Sequence, residues 1–276
     1  IWAQVSRRFA NKSGKLLFEI INEPKGMTKQ EVDETNERIL GIIRKSNPKR
    51  IVIFGGNEWA NSDELITAKI PNDDYLMGYY HSYDPWNFGG QGEGTWGSFD
   101  DLRNMENKYK AVSDWSKINN IPVMISEFGA VHACEYNSRM LHYFYNVKFA
   151  LQYGVAFMAW DDGGNFGIYD RQNRTWPEVK DILIHTYPDG PEYLQGGVAG
   201  KNHVYITWTN NFDNATKITV QRKTDSSDFT NVTDLPGDAT QWDEVYNGSG
   251  NIYYRIIAKF AGLPDKYSNP VKYTIQ

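Results

Sequence analysis

Apolar positions along the first two thirds of the chain alternate between two patterns. Continuous apolar runs occur in KLLFEIINE, RIVIFGG, DYLMGYYHSY, IPVMISEFG and VAFMAWDDGG, and each predicts a strand buried on both faces. Segments with helical spacing lie between them. In TKQEVDETNERILGIIRKS the apolar positions are Val32, Ile39, Ile42 and Ile43, with Thr28 and Glu31 in capping-box register at the start. Further helices are predicted at about 99–119, capped by Ser98, in SRMLHYFYNVKFALQYG, and near 175–186, where Thr175 and Glu178 again have capping-box spacing. Residues 1–12 read as the end of an amphipathic helix. Strands alternating with helices predict a parallel sheet covered on both faces, in an open doubly wound sheet or a (β/α)8 barrel.

After YPDGPEYL the period changes from mixed to two. HVYITWT, KITVQRKT, IYYRIIAKF and VKYTIQ are short alternating strands separated by Gly, Asn and Asp turns, the pattern of an all-β sandwich. The boundary is expected at Pro188–Pro191, giving one domain over 1–187 and a second over 191–276.

Composition narrows the function classes. A formal net charge of −5 argues against a nucleic-acid partner. No apolar run approaches the roughly 20 residues a membrane span needs, so no membrane partner is expected. The 9 Trp and 18 Tyr supply flat amphipathic rings suited to sugars or other flat, partly polar ligands. Cys134 stands alone and forms no intrachain disulfide. His132 and His142 have no metal-ligand spacing, and GGQGEG lacks the Lys-Ser/Thr of a phosphate loop and reads as a mobile lid. No cofactor and no metal is expected.

Two glutamates close two apolar runs: Glu23 in FEIINEP and Glu127 in VMISEFGA. Carboxylates at the C-terminal ends of two parallel strands are what glycoside hydrolysis with retention requires, one as acid and base and one as nucleophile. His81 and Tyr83, two apart on one strand, share a face from which each can orient a carboxylate. Trp160 closes the fifth run, either as a stacking platform or as a core residue. Trp59, Trp86 and Trp96 lie in strand-to-helix loops, where rings more often face a ligand. Asp161, Asp162 and Asn165 offer polar groups to sugar hydroxyls or, equally, turn chemistry around Gly163 and Gly164.

In order and strand context, FEIINEP, HSY, ISEFGA and MAWDDGG resemble glycoside hydrolase family 5, the cellulase family of clan A. The wording YYHSYDPWNF and WDDGGNFGIYDR resembles its subfamily of endo-β-1,4-glucanases, xyloglucanases and lichenases. Over residues 1 to about 187 the resemblance implies Glu23 as acid/base, Glu127 as nucleophile and Asn22 as the amide on the 2-hydroxyl of the −1 sugar. It also implies His81 and Tyr83 in support and Trp160 as the −1 platform. Residues 191–276 resemble a fibronectin type III or immunoglobulin-like module, with Trp208 and Tyr254 at its core positions.

The implied fold class is α/β: a (β/α)8 TIM barrel of which about five βα units, strands 4–8, are present, plus the all-β sandwich. The arginine and the histidine or asparagine that the family draws from its first three strands have no counterpart here. The expected ligand is a β-glucan, and the expected partner is an N-terminal half-barrel fragment or a second copy of the chain. The competing reading is a non-catalytic glycan-binding or self-assembled half-barrel. The resemblance implies a secreted or cell-surface protein, its signal lying outside this sequence.

Overall fold

A computed structural model describes all residues, Ile1–Gln276. They form two compact units. The first comprises Ile1–Tyr83, Asn104–Phe128 and Tyr153–Ala159, and the second comprises Asp84–Arg103, Gly129–Gln152 and Trp160–Gln276.

The first unit is built on a parallel sheet with strand order β1-β2-β3-β4-β5, formed by Phe18–Glu19, Val52–Phe54, Leu76–Ser82, Val123–Phe128 and Ala156–Phe157. Sequential parallel pairing follows from the helices between strands. The first crossover runs through α2 (Lys29–Arg44), where Thr28 Oγ1 accepts from Glu31 N at 3.2 Å and Glu31 Oε2 accepts from Thr28 N at 2.7 Å. This is the capping box that the spacing predicts. On one side of the sheet Trp115 and Tyr109 of α5 (Phe99–Asn119) pack on Phe54 and Tyr80, with ring centroids at 6.4 and 6.3 Å. Ile53, Tyr79 and Met124 form a separate apolar cluster with Leu17 and Met77. N-terminal helix α1 (Trp2–Arg8) is anchored by Trp2, whose Nε1 donates to Ile20 O at 2.9 Å. The loop that follows α1 wraps Arg50, whose guanidinium donates to carbonyls of Phe9, Lys12, Ser13 and Leu16 at 2.6–3.0 Å.

The second unit holds α4 (Trp86–Gly89), most of α6 (Tyr136–Tyr153), α7 (Val179–His185) and all the antiparallel strands. α6 is buried on nearly every face, and its Lys148 is paired with Glu192. Strands β6 (Pro191–Ala199), β7 (His203–Asn210) and β10 (Gln241–Val245) pair in the order β10-β7-β6. β8 (Lys217–Thr224), β9 (Thr230–Leu235), β11 (Gly250–Lys259), β12 (Lys266–Tyr267) and β13 (Val271–Ile275) form the second sheet, with β11 at its centre. Inward residues of both sheets, among them Leu194, Ile206, Trp208, Val220, Tyr254 and Ile256, share one core. Asn137 of α6 satisfies both backbone groups of Lys272 in β13, at 3.1 and 2.6 Å.

The structure corrects four local expectations. β1 and β5 are two residues long, so Glu23 and Trp160 lie beyond the strands and not on their last residues. The helix expected from about 175 starts at Val179 without a side-chain cap. Thr175 instead exchanges two backbone bonds with Asp170, at 3.0 and 3.2 Å, closing a hairpin that removes it from any cap. Helices α3 (Ser62–Thr67) and α4 are too short to leave a periodic signal, though Asn61 caps α3 by accepting from Asp63 N at 2.8 Å.

Candidate active site

Four of the sequence-predicted residues meet in the first unit. His81 is buried near the end of β3, immediately after a register shift between Tyr80 and His81 against β4. Such a bulge changes where the following side chains point. His81 Nδ1 lies 2.8 Å from Glu23 Oε1 and 3.5 Å from Glu127 Oε2, and its Nε2 lies 3.0 Å from Ser126 Oγ. Tyr83 Oη donates to Glu127 Oε2 at 2.6 Å. Donor atoms of Glu23, His81 and Glu127 all fall within 4.8 Å of one another, so these three side chains are also the set that could hold a metal ion. The carboxylates remain reachable, with side-chain exposures of 24% for Glu23 and 16% for Glu127, whereas that of His81 is 2%.

The backbone that presents Glu23 is strained. Its φ of 44° is left-handed, a region that costs a non-glycine residue on the order of 1 kcal/mol or more. Tyr79 holds it there, because the phenol donates to Ile21 O and accepts from Glu23 N at 3.3 Å. Burial, with the charges of Glu19, Glu23 and Glu127 adding to it, pushes the Tyr79 phenol well above its ordinary range, so it remains a donor. A second left-handed stretch follows β2, where Glu58, Trp59 and Ala60 have φ of 46°, 61° and 57°. Trp59 N donates to Pro24 O at 3.2 Å, and His81 N donates to Ala60 O at 2.9 Å, so this turn braces both Glu23 and His81. The Trp59 ring is 56% exposed, with Lys25 Nζ 5.9 Å above it.

Sequence reasoning missed Tyr79, Ser126 and Glu19. Tyr79 was within reach, since it precedes His81 and Tyr83 at the same two-residue spacing. Glu19 of β1 is half-buried; burial raises its carboxyl, His81 lowers it and Glu127 raises it further, which ties it electrostatically to the same cluster. A carboxylate inside an apolar run gave no separate signal.

The other candidates are distributed differently. Asn22 is exposed beside Glu23. Trp86, Trp96, Trp160, Asp161 and Asn165 belong to the second unit. Trp86 is 56% exposed and Trp160 is 39% exposed. Trp96 corrects the expectation of an open ring: it is buried edge-on against His142 at 5.0 Å and beside Tyr145. Its loop folds inward because His142 is itself enclosed, its Nε2 donating to Asp84 O at 3.0 Å. Asp161 accepts from Gly163 N at 2.7 Å, from Tyr169 N at 3.1 Å and from Arg171 Nη1 at 2.9 Å. Burial raises its carboxyl, but these donors outweigh that and bring it down to about 2. Asp162 accepts from Gly164 N and Phe166 N, so both carboxylates perform the turn chemistry that was one of their two readings. Asn165 has an exposed side chain, and its carbonyl accepts from His132 N at 2.8 Å.

Comparison with known proteins matches residues 1–165 to the cellulase family, glycosyl hydrolase family 5. The chain belongs to glycosyl hydrolase family 5. Endoglucanase H of Acetivibrio thermocellus is 42% identical over 198 residues, spanning 68% of this family 5 chain and 22% of that protein. Endoglucanase A of Clostridium longisporum is 27% identical over 216 residues, spanning 68% of this chain and 42% of that one. The chain thus spans less than half the length of either relative. Among solved structures, a tri-modular family 5, subfamily 4 endo-β-1,4-glucanase from Bacillus licheniformis superimposes with a TM-score of 0.75 at 28% identity, covering 97% of this chain and 56% of that one. A hyperthermophilic endo-β-1,4-glucanase solved with substrate gives 0.63 at 33% identity, covering 66% of this chain and 63% of that one. The five-stranded parallel sheet is therefore that of a TIM-barrel-like family 5 fold. No helix is long and apolar enough to cross a membrane.

Proposed function

We propose that the protein is a retaining endo-β-1,4-glycanase acting on β-glucan: cellulose, mixed-linkage glucan or xyloglucan. The observation that carries this reading is the convergence of Glu23 and Glu127 on His81. Carboxylate oxygens within 4.8 Å of each other suit attack by one carboxylate on the anomeric carbon. The wider separation of about 6.5–9.5 Å used by inverting enzymes leaves room for a water instead. The names of the endoglucanase relatives support the substrate class.

In this reading Glu127 attacks the anomeric carbon, and Glu23 carries the proton that the departing glycosidic oxygen receives. The covalent glycosyl-Glu127 ester is then hydrolysed by a water that Glu23 deprotonates, returning both carboxyls to their starting states. His81 aligns Glu23 through Nδ1 while Ser126 fixes its ring through Nε2. Tyr83 orients Glu127. Asn22 serves the 2-hydroxyl of the −1 sugar, Trp160 stacks beneath it, and the exposed rings of Trp59 and Trp86 serve neighbouring sugars. The two-carboxylate chemistry requires no metal. We assign the chain to the subfamily of endoglucanases, xyloglucanases and lichenases. Residues 1–187 are read as barrel strands 4–8, completed by an N-terminal half-barrel segment or a second copy. Residues 191–276 are read as a fibronectin III or immunoglobulin-like module that acts as a spacer or stabiliser, and the protein as secreted or displayed at the cell surface.

The test is release of reducing ends from soluble β-glucan by the chain and by Glu127→Ala. Wild-type activity with loss of nearly all turnover in the variant is expected. Equal activity in both would remove Glu127 from the mechanism. A wild type that only retards in a β-glucan gel, without releasing ends, would replace the enzyme by the glycan-binding half-barrel.

A further inference from the structure

The two glycines that close RIVIFGG are hemmed in on both sides within the first unit. A Cβ on Gly56 would stand 2.3 Å from the Glu64 carbonyl carbon of α3, and one on Gly55 would stand 2.5 Å from Cε1 of the Tyr79 ring. Neither glycine has a left-handed backbone, so it is space and not conformation that requires them. Gly55 cannot back away from the ring, because the buried Asn36 of α2 donates to its carbonyl at 3.0 Å. Nor can the ring yield easily, since Tyr79 is fully buried in the cluster with Ile53 and Met124.

This close approach lets the phenol reach past a whole strand. Tyr79 lies on β3, and β2 separates β3 from β1. Pairing of β1 with β2 ends with Ile20 N donating to Ile53 O at 3.0 Å. Beyond that point the Tyr79 phenol takes over, donating to Ile21 O and accepting from Glu23 N at 3.3 Å. One oxygen thus bridges the backbone on both sides of Asn22 and closes the turn in which Glu23 has φ of 44°. A non-glycine residue keeps such a conformation only when its surroundings hold it. Trp59 N, on Pro24 O, holds the far side of the turn, and the phenol holds the near side. The carboxylate so presented lies 2.8 Å from His81 Nδ1.

We propose that Tyr79, its path kept open by Gly55, is a positioning residue for proton donation by Glu23. This rests on the glycanase reading, in which Glu23 protonates the departing oxygen. The phenol acts through the backbone of Glu23 and need touch neither sugar nor reacting atom. A misplacement of about 1 Å costs on the order of a hundredfold in rate. For a misplaced acid that cost falls only on leaving groups that need the proton. A dinitrophenol leaves as a stable anion and needs none, whereas a sugar hydroxyl does. Loss of the phenol is therefore selective for the poor leaving group, while a general slackening of the fold lowers both reactions alike.

The experiment is kcat/KM of the 276-residue chain on dinitrophenyl β-cellobioside and on cellotetraose, for wild type, Tyr79→Phe and Gly55→Ala. That parameter reports the steps up to the glycosyl-enzyme, so the later work of Glu23 as base does not enter. Tyr79→Phe keeps the ring and removes one oxygen. It is expected to lower kcat/KM on cellotetraose about 10- to 100-fold and to leave the dinitrophenyl substrate within about threefold. Gly55→Ala keeps the phenol but obstructs its ring, and is expected to show the same selectivity. The ratio of the two substrates is taken within one sample, so it does not depend on the fraction folded. Equal losses on both substrates, or cellotetraose turnover by Tyr79→Phe within about threefold of wild type, overturn the proposal and leave the enzyme reading intact. Selectivity in Tyr79→Phe without it in Gly55→Ala overturns the part assigned to Gly55. A wild type that hydrolyses neither substrate overturns the glycanase reading first, and the role of Tyr79 with it.

Discussion

Replacing Tyr83 by Phe removes one oxygen and tests the assigned roles through the order of two chemical steps. The phenol donates at 2.6 Å to Glu127 Oε2, a short bond to a carboxylate that is only 16% exposed. Bonds of that kind contribute on the order of 1.5–3 kcal/mol. In the first step Glu127 loses charge as it bonds to the anomeric carbon, so the Tyr83 bond weakens on the way to the transition state, and its removal costs little there beyond positioning. In the second step the ester breaks and the full carboxylate charge returns, so the bond strengthens as the barrier is climbed. Tyr83→Phe therefore slows deglycosylation more than glycosylation. At 1.36 kcal/mol per factor of ten, kcat falls roughly 10- to 100-fold, and KM falls with it because the glycosyl-enzyme accumulates. The assay is rapid-mixing release of the aryl leaving group from an activated aryl cellobioside, with intact-mass detection of the adduct on Glu127. A burst equal to the enzyme concentration and a visible adduct are expected. A kcat within threefold of wild type, or a slow variant with neither burst nor adduct, would refute the assignment of Glu127 as the leaving carboxylate under Tyr83.

Two further outcomes concern stability. Burial lowers His142 to about 4, the Asp84 carbonyl only partly opposing it, and the ring sits neutral between Trp96 and Phe88. The unfolded chain binds a proton at about 6.5 and the native one does not until about 4, so stability is fully present above pH 6.5 and is lost as pH falls towards 4, by roughly 3 kcal/mol in total. Urea unfolding of wild type and His142→Gln between pH 7 and 4 should show a flatter profile in the variant; parallel profiles would remove His142 as the cause. Arg50→Met leaves the carbonyls of Phe9, Lys12, Ser13 and Leu16 without their donor, and should destabilise the chain by about 3–5 kcal/mol, with amide exchange rising first in residues 1–17. Urea midpoints shifted by less than about 1 kcal/mol would mean that water replaces the guanidinium at no cost.

Local signals were legible where a few neighbouring residues decide the outcome. Thr28 and Glu31 meet within one turn, and the start of α2 follows from them. The apolar runs around Ile53, Tyr80 and Ile125 became β2, β3 and β4 for the same reason. The change to alternating strands at 191 marked the start of β6. The members of the cluster around His81 were also readable, because Glu23, His81, Tyr83 and Glu127 each follow an apolar run.

What the sequence determined by itself was the longer elements, β2, β3, β4, α2, α5 and α6, and the types of group that close the apolar runs. The tertiary structure decided which of those groups meet. His81 and Glu23 are 58 residues apart, and their 2.8 Å approach depends on a bulge in β3, a left-handed Glu23 and a Tyr79 bond that holds it, none of which has a local signature. Trp59 and Trp96 show the same limit from opposite sides. Both are loop tryptophans, yet one is exposed, its backbone tied by a single bond to Pro24, and the other is drawn inward against a buried histidine. Exposure is set by what the rest of the fold places opposite a ring, and periodicity along a chain carries no information about that. The hairpin at Asp170 and Thr175 follows the same rule, since the backbone bonds between these two residues keep Thr175 out of the helix expected there.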